Sequence, residues 1–270
     1  MTTYVLAGGA WLGGWAWQPV ARQLRSRGHE VHPVTFTGLG DRSHLARPEV
    51  DLDTYVTDVV NLIEFEDLHD VVLVGHSYAG IVVTGVADRI PERISLLAHL
   101  DSGPSPDGVS FLDLQPPAAR ELLERLVEHE GEGWRLPMPS WEELEGVMGA
   151  SLEGLGPEER ARMRGRSVAQ PLRTWSEPLS LGNPARERLP KLLITCSIPL
   201  AQVREMVAAG HPWFAELAGP AATPAARGPR TSASARWAAP GTTTPARPAR
   251  RTRGGRRRSS PGPGPGGCCR

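Results

Sequence analysis

Asp70-Val71-Val72-Leu73-Val74-Gly75-His76-Ser77-Tyr78-Ala79-Gly80 is an apolar run that stops at a turn of small residues with a serine at its tip. The apolar, helix-compatible stretch Ile81 to Ala87 follows at once. Strand, tight turn and helix in that order form the context in which a serine hydroxyl is pushed out of a sheet and becomes available as a nucleophile. The turn strains the serine backbone and brings strand and helix close together, so small residues are needed around it. Gly75 meets that need, whereas Ala79 stands where glycine is usual and adds a methyl group. An ordinary β–α turn uses the same residue types. The four β-formers before the turn and the helix after it favour Ser77 as a nucleophile.

Outward from this turn the chain alternates. Tyr4 to Ala7 reads as a first strand and runs into the glycine-rich loop Gly8-Gly9-Ala10-Trp11-Leu12-Gly13-Gly14-Trp15. Residues 17–27 space Trp17, Val20, Ala21 and Leu24 as a helix does, and Gly28 ends it. Val31 to Phe36 is a second strand, followed by the turn Thr37-Gly38-Leu39-Gly40. Residues 53–65 form a helix with Asp51 or Asp53 as its cap. The third strand is 70–75 and the helix after the turn is 78–89. Ile94 to Leu100 is a fourth strand ending at Asp101, and a fifth, placing Cys196 in a buried strand, is centred on Leu192-Leu193-Ile194. Such alternation predicts an α/β fold: a mostly parallel sheet with helices on both faces.

Residues 104–187 break the alternation. Helical stretches (118–129, 140–152, 157–168) are interrupted by Pro and Gly and accompanied by Trp134, Trp141 and Trp175. An insertion between two sheet strands is expected to form a cap over an active site; the plainer alternative is a helical embellishment whose tryptophans fill its own core.

The chain of 270 residues carries zero formal net charge, but the balance is uneven. The last acidic residue is Glu216; residues 219–270 hold eleven arginines, nine prolines and nine glycines, and no Leu, Ile, Val, Phe or Met. Residues 1–218 hold 19 basic and 30 acidic residues, a net charge of −11. The expected organisation is a folded domain over 1–218 and a disordered tail over 219–270, since the tail cannot bury enough apolar surface to offset the entropy of ordering it. The arginine run 250–258 has the charge to meet nucleic acid, but no interleaved aromatic residue to stack bases, so specific nucleic-acid binding is not expected. The tail reads as a frame translated out of register. No apolar stretch reaches 18 residues, so no membrane span is expected. The N-terminus lacks a basic segment followed by an apolar one, and three cysteines (Cys196, Cys268, Cys269) make no disulfide framework. A cytoplasmic location is the expectation. The sequence is silent on oligomeric state.

A serine hydroxyl needs a base, a carboxylate to orient that base, and donors for the developing oxyanion. The expected donors are the backbone N–H of Tyr78, immediately after the serine, and that of Ala10 in the loop after the first strand. That loop gives neither the dinucleotide pattern G-x-G-x-x-G nor a P-loop lysine, and no histidine pair has metal-ligand spacing supported by nearby Cys or carboxylates. No cofactor and no metal are therefore expected. The carboxylate is expected at Asp101, on the same sheet edge as Ser77; its other reading is a turn cap for Gly103 or Ser105. The base is not assigned. In the order Ser, Asp, His it should follow the last strand, and the only histidine after residue 195 is His211, in a short Gly-His-Pro turn that suits the role poorly.

These residues, with Gly13-Gly14-Trp15-Ala16-Trp17, Thr37-Gly38-Leu39-Gly40-Asp41-Arg42, Asp51-Leu52-Asp53 and Asp58-Val59-Val60, resemble the α/β-hydrolase superfamily. The similarity is to its bacterial esterase-like branch, which is close to plant methylesterases and hydroxynitrile lyases. The resemblance covers residues 4–218. It implies a Ser77 nucleophile, oxyanion donors at Ala10 and Tyr78, and a small ester substrate beneath a helical cap. Three departures stand out: Gly8-Gly9 where the family has His-Gly, Ala79 in the turn, and no match to the final strand, the Thr-Gly-His-type loop and the closing helix. Those elements would begin near residue 220, so a C-terminal strand and helix are expected to be missing and activity to suffer. The alternatives are a non-catalytic relic or small-molecule-binding protein on the same scaffold, and a hydroxynitrile lyase, for which the only lysine, Lys191, is poorly placed.

Overall fold

Five parallel strands form the central sheet: β1 (Thr3–Ala7), β2 (Glu30–Pro33), β3 (Val71–His76), β4 (Ile94–Leu100) and, after the insertion, β7 (Lys191–Ile194), in the spatial order β2-β1-β3-β4-β7. The computed structural model describes residues 1–197, 199–211 and 214, all within the unit Met1–Ser232. The expectations of a disordered tail and of a missing strand and helix lie outside those residues.

The crossover helices α1 (Gln18–Ser26), α2 (Leu52–Phe65) and α3 (Ala79–Arg89) follow β1, the turn after β2, and β3. Asp51 caps α2 by accepting from the Thr54 amide at 2.9 Å, with the Thr54 hydroxyl returning the contact. One face of the sheet, carrying Val5, Ala7, Val71, Leu73 and Leu97, joins α2 and α3 in the main core. The other face carries Leu6, with Tyr4 and Val74 packed around it, and meets Ala21 and Leu24 of α1. Burial on alternate faces is what a covered parallel sheet requires. The expected strand 31–36 is shorter than read because Pro33 has no N–H for the ladder; Val34 still donates to Leu6 O at 2.9 Å.

The insertion contains α4 (Pro117–Glu130), a two-stranded antiparallel pair β5 (Arg135–Leu136) and β6 (Gln170–Pro171), α5 (Trp141–Gly146), α6 (Pro157–Arg166) and α7 (Arg173–Ser176). The stretch read as helix over 140–152 stops at Gly146, and Gly149 then takes a positive φ of 68°. Trp175 is 1% exposed, but it does not fill a separate cap core. It packs on Trp11, Tyr78 and Phe111 in the main core.

One expectation is corrected outright. Cys196 does not lie in a buried strand: β7 ends at Ile194, and the thiol is exposed where the chain turns toward α8 (Leu200–Ala208). β7 ends the described sheet and leaves Leu192 and Ile194 exposed.

Candidate active site

The turn at Ser77 is as tight as its sequence implies. Ser77 has φ +51°, a left-handed conformation that a non-glycine residue adopts only when the surroundings hold it there. Three bonds do so: Ser77 N donates to Leu100 O at 3.0 Å, and Ser77 O accepts from the Gly80 amide at 3.0 Å and from Ser102 Oγ at 2.7 Å. The hydroxyl itself makes no hydrogen bond among the described residues, and Ser77 is half-buried rather than sealed.

The steric limits of the turn differ from the sequence reading. Ala79 is accommodated with no exposure. The glycines that cannot change are Gly75, where a Cβ would sit 2.5 Å from Val83 Cγ2 and 2.8 Å from Ala79 O, and Gly80, where it would sit 1.8 Å from Ser102 Oγ. The crowding therefore falls one residue later than the position at which the sequence pattern placed it.

The loop after β1 reaches this turn. A Cβ on Gly9 would lie 3.3 Å from Ser77 Cβ and 3.0 Å from His76 Nδ1. That places the Gly9 backbone against the serine, with Ala10 next in the chain, and the Tyr78 amide directly follows the serine. Tyr78 is wholly buried, its phenol held unionised by burial and donating to Thr174 O at 2.7 Å. Trp11 has φ +65° and is bracketed by the insertion: its N–H donates to Gln170 Oε1 at 3.1 Å and its carbonyl accepts from the Val168 amide at 3.1 Å. Gln170, Thr174 and Ser102 were not legible as site residues, because each makes its contact across the fold.

Asp101 follows β4 at the same sheet edge, with φ +44°. Its carboxylate does not take the N–H of Gly103 or Ser105. Oδ1 accepts from Cys196 N at 2.5 Å and Ser197 N at 3.1 Å, and Oδ2 accepts from Ser197 Oγ at 3.1 Å. It thus ties down the loop after β7. Asp101 and burial together hold the Cys196 thiol above its ordinary range, burial being the larger cause.

The histidines separate into distinct settings. The His76 ring meets Trp17 edge-on at 6.3 Å, and burial lowers its affinity for a proton while the Asp101 carboxylate opposes this. His99 is 1% exposed within β4, both ring nitrogens without a partner, and burial pushes its pKa down to about 3. His32 pairs with Glu30 within β2, and His69 with Asp67 ahead of β3. His211 closes the turn after α8, its amide donating to Met206 O at 2.9 Å and its ring facing Phe214 at 6.2 Å. Lys191 stands at the N-terminal end of β7, the far edge from Ser77, with Nζ donating to Glu187 O. Among the described residues no cluster of His, Cys, Asp and Glu is placed to hold a metal ion, and no helix is long and apolar enough to cross a membrane. A cavity of about 550 Å³ lies between Trp15, Pro33, Asp41 and Arg166, and neither Ser77 nor Asp101 lines it.

The sequence profile of the Alpha/beta hydrolase family matches residues 4–224. A carbendazim-hydrolysing esterase from a Nocardioides strain is 38% identical over 200 residues, 70% of this chain and 78% of that protein. A pyrethroid hydrolase from Sphingobium wenxiniae is 26% identical over 225 residues, 76% of this chain and 75% of its own. Among solved structures, an extracellular α/β-hydrolase from a Paenibacillus species, described as sharing structural and functional homology with tobacco salicylic acid binding protein 2, superposes with a TM-score of 0.62. It is 26% identical, with 74% of this chain and 81% of that chain covered.

Proposed function

The chain belongs to the alpha/beta hydrolase family, and from that premise we propose that it is a carboxylesterase-like serine hydrolase of small esters. Ser77 Oγ attacks the acyl carbon, the carbonyl oxygen becomes an oxyanion received by the amides of Ala10 and Tyr78, and the C–O bond breaks as the leaving oxygen takes up the proton given up by the serine and departs as the alcohol; water then splits the acyl-serine, its hydroxide going to the acid and its proton restoring the serine. The observation that carries this reading is the left-handed Ser77 between β3 and α3, with Gly9 against its side chain. The similar Nocardioides and Sphingobium proteins are an esterase and a pyrethroid hydrolase, which supports an ester-type bond as the target. Asp101 supplies a carboxylate at the same edge.

No described histidine hydrogen-bonds the Ser77 hydroxyl, and this favours slow turnover. In serine proteases, loss of one triad member leaves roughly 10³–10⁴-fold acceleration over water from binding and oxyanion stabilisation. The same observation favours a second reading, a small-molecule-binding protein on this scaffold that has lost the chemistry. Hydroxynitrile cleavage draws no support from Lys191, which lies at the far edge of the sheet.

A fluorophosphonate probe separates the readings. The expected result is covalent labelling of the peptide containing Ser77 and none in Ser77→Ala. Labelling at another residue, or equal labelling of Ser77→Ala, overturns the serine assignment. No labelling of the wild type, with a small ester still bound, supports the binding protein.

A further inference from the structure

The proposed oxyanion donors, the amides of Ala10 and Tyr78, lie on separate loops, and one short segment of the insertion bonds the next amide after Ala10, that of Trp11, and the Tyr78 phenol. Gln170 is 0% exposed; Oε1 accepts from Trp11 N at 3.1 Å and Nε2 donates to Thr174 Oγ1 at 2.8 Å. Thr174, also 0% exposed, passes its hydroxyl proton to Pro171 O at 2.7 Å and accepts the Tyr78 phenol on its carbonyl at 2.7 Å. Trp175 completes the grip, its ring 5.7 Å from that of Trp11 and stacked at 5.5 Å on that of Tyr78. The Trp11 N–H belongs to the peptide that Ala10 begins, so fixing it sets the plane next to the Ala10 donor. Tyr78 carries the second donor on its own backbone. The polar side-chain groups of Gln170, Thr174 and Tyr78 are buried and hydrogen-bonded, which makes their link rigid rather than adaptable.

We propose that Gln170 and Thr174 are positioning residues that set the separation of the Ala10 and Tyr78 amides, so that the insertion completes the oxyanion site without touching the substrate. The proposal rests on the serine-hydrolase reading for its consequence, but not for its geometry. Oxyanion donors act only when held in place before charge develops, and a supporting shell of locked side chains is what holds them. An insertion with this role cannot loosen at residues 168–175 without loosening loops that it contacts across 96 and 159 positions of sequence.

The test compares near-isosteric variants with a control matched for lost stability. Gln170→Met removes both side-chain bonds with little change of volume; Tyr78→Phe removes only the phenol bond to Thr174 O; Thr174→Val removes the hydroxyl that Thr174→Ser restores. Leu122→Ala, in the buried face of α4, destabilises the insertion elsewhere. The second-order rate of fluorophosphonate labelling is expected to fall by roughly tenfold or more in Gln170→Met, Tyr78→Phe and Thr174→Val. It is expected to stay near wild type in Thr174→Ser and Leu122→Ala. Amide hydrogen exchange is expected to speed up in Gln170→Met not only at 9–11 but also at 77–80, which Gln170 reaches through Thr174 and the Tyr78 phenol. Labelling of Gln170→Met no slower than Leu122→Ala, with exchange unchanged at both segments, overturns the proposal. If the wild-type chain takes no label, the serine reading fails by itself, and exchange decides: faster exchange at 77–80 in Gln170→Met upholds the clamp, and unchanged exchange rejects it.

Discussion

Ser77 and Asp101 occupy equivalent places on neighbouring parallel strands. His76 of β3 and Leu100 of β4 are register partners, and the residue after each turns into positive φ, 51° at Ser77 and 44° at Asp101. The two are linked through Ser77 N donating to Leu100 O. Two strained residues side by side at the C-terminal edge of a parallel sheet are the arrangement from which ligand chemistry is built in open α/β folds.

The strain at Ser77 can be relieved at the expense of the chemistry. Ser77→Gly removes the Cβ that disfavours φ +51° and is expected to stabilise the protein by about 1 kcal/mol while abolishing labelling. Chemical denaturation of the two proteins, compared at equal m-value, checks the gain. A loss of stability shows that the serine side chain is held by favourable contacts rather than forced.

The crowding after the turn makes an unequal pair of predictions. Gly80→Ala brings a methyl within 1.8 Å of Ser102 Oγ and is expected to cost about 3 kcal/mol. Ala79→Gly, at the first residue of α3, is expected to cost only about 1 kcal/mol. Adding Ser102→Ala to Gly80→Ala should recover part of the loss, although Ser102 Cβ at 2.9 Å still intrudes. Thermal melts of the four proteins read these differences, and equal melting of Gly80→Ala and Ala79→Gly contradicts the packing described.

Asp101 has a visible structural task and a proposed chemical one, and Asp101→Asn divides them. Asparagine keeps one oxygen for the amides of Cys196 and Ser197 but removes the charge. Stability is expected to change by less than about 1 kcal/mol, whereas labelling at Ser77 is expected to slow by roughly tenfold or more if the negative charge supports the nucleophile. A labelling rate equal to wild type reduces Asp101 to an anchor for the loop after β7.

His99 predicts an acid-sensitive fold. Its folded pKa is about 3, below the ordinary 6.5, so the unfolded chain binds the proton more readily. Its contribution to stability is complete above the unfolded pKa and is lost as pH falls from 6.5 toward 3. Between pH 7 and pH 5 this single group should remove about 2 kcal/mol. His99→Leu, which also deletes two partnerless ring nitrogens, is expected to be at least as stable at pH 7 and to lose less on acidification. Denaturation midpoints at the two pH values measure the difference; identical pH slopes in the two proteins place the acid sensitivity elsewhere.

What the residues alone determined is the local part of this architecture. Apolar runs and helical spacing over 3–89 set the strands and helices, and Gly75-His76-Ser77-Tyr78-Ala79-Gly80 set the turn, because a tight strand-to-helix junction tolerates few side chains. The capping of α2 by Asp51 was readable for the same reason: donor and acceptor lie three residues apart. Only the tertiary structure decided that Gly80 rather than position 79 is crowded, since the obstacle is Ser102, beyond another strand. It also decided that Asp101 anchors residues 196–197 and that Gln170 meets Trp11 across 159 positions. Such contacts depend on where loops from different strands arrive, and no spacing along the chain encodes the distance between them.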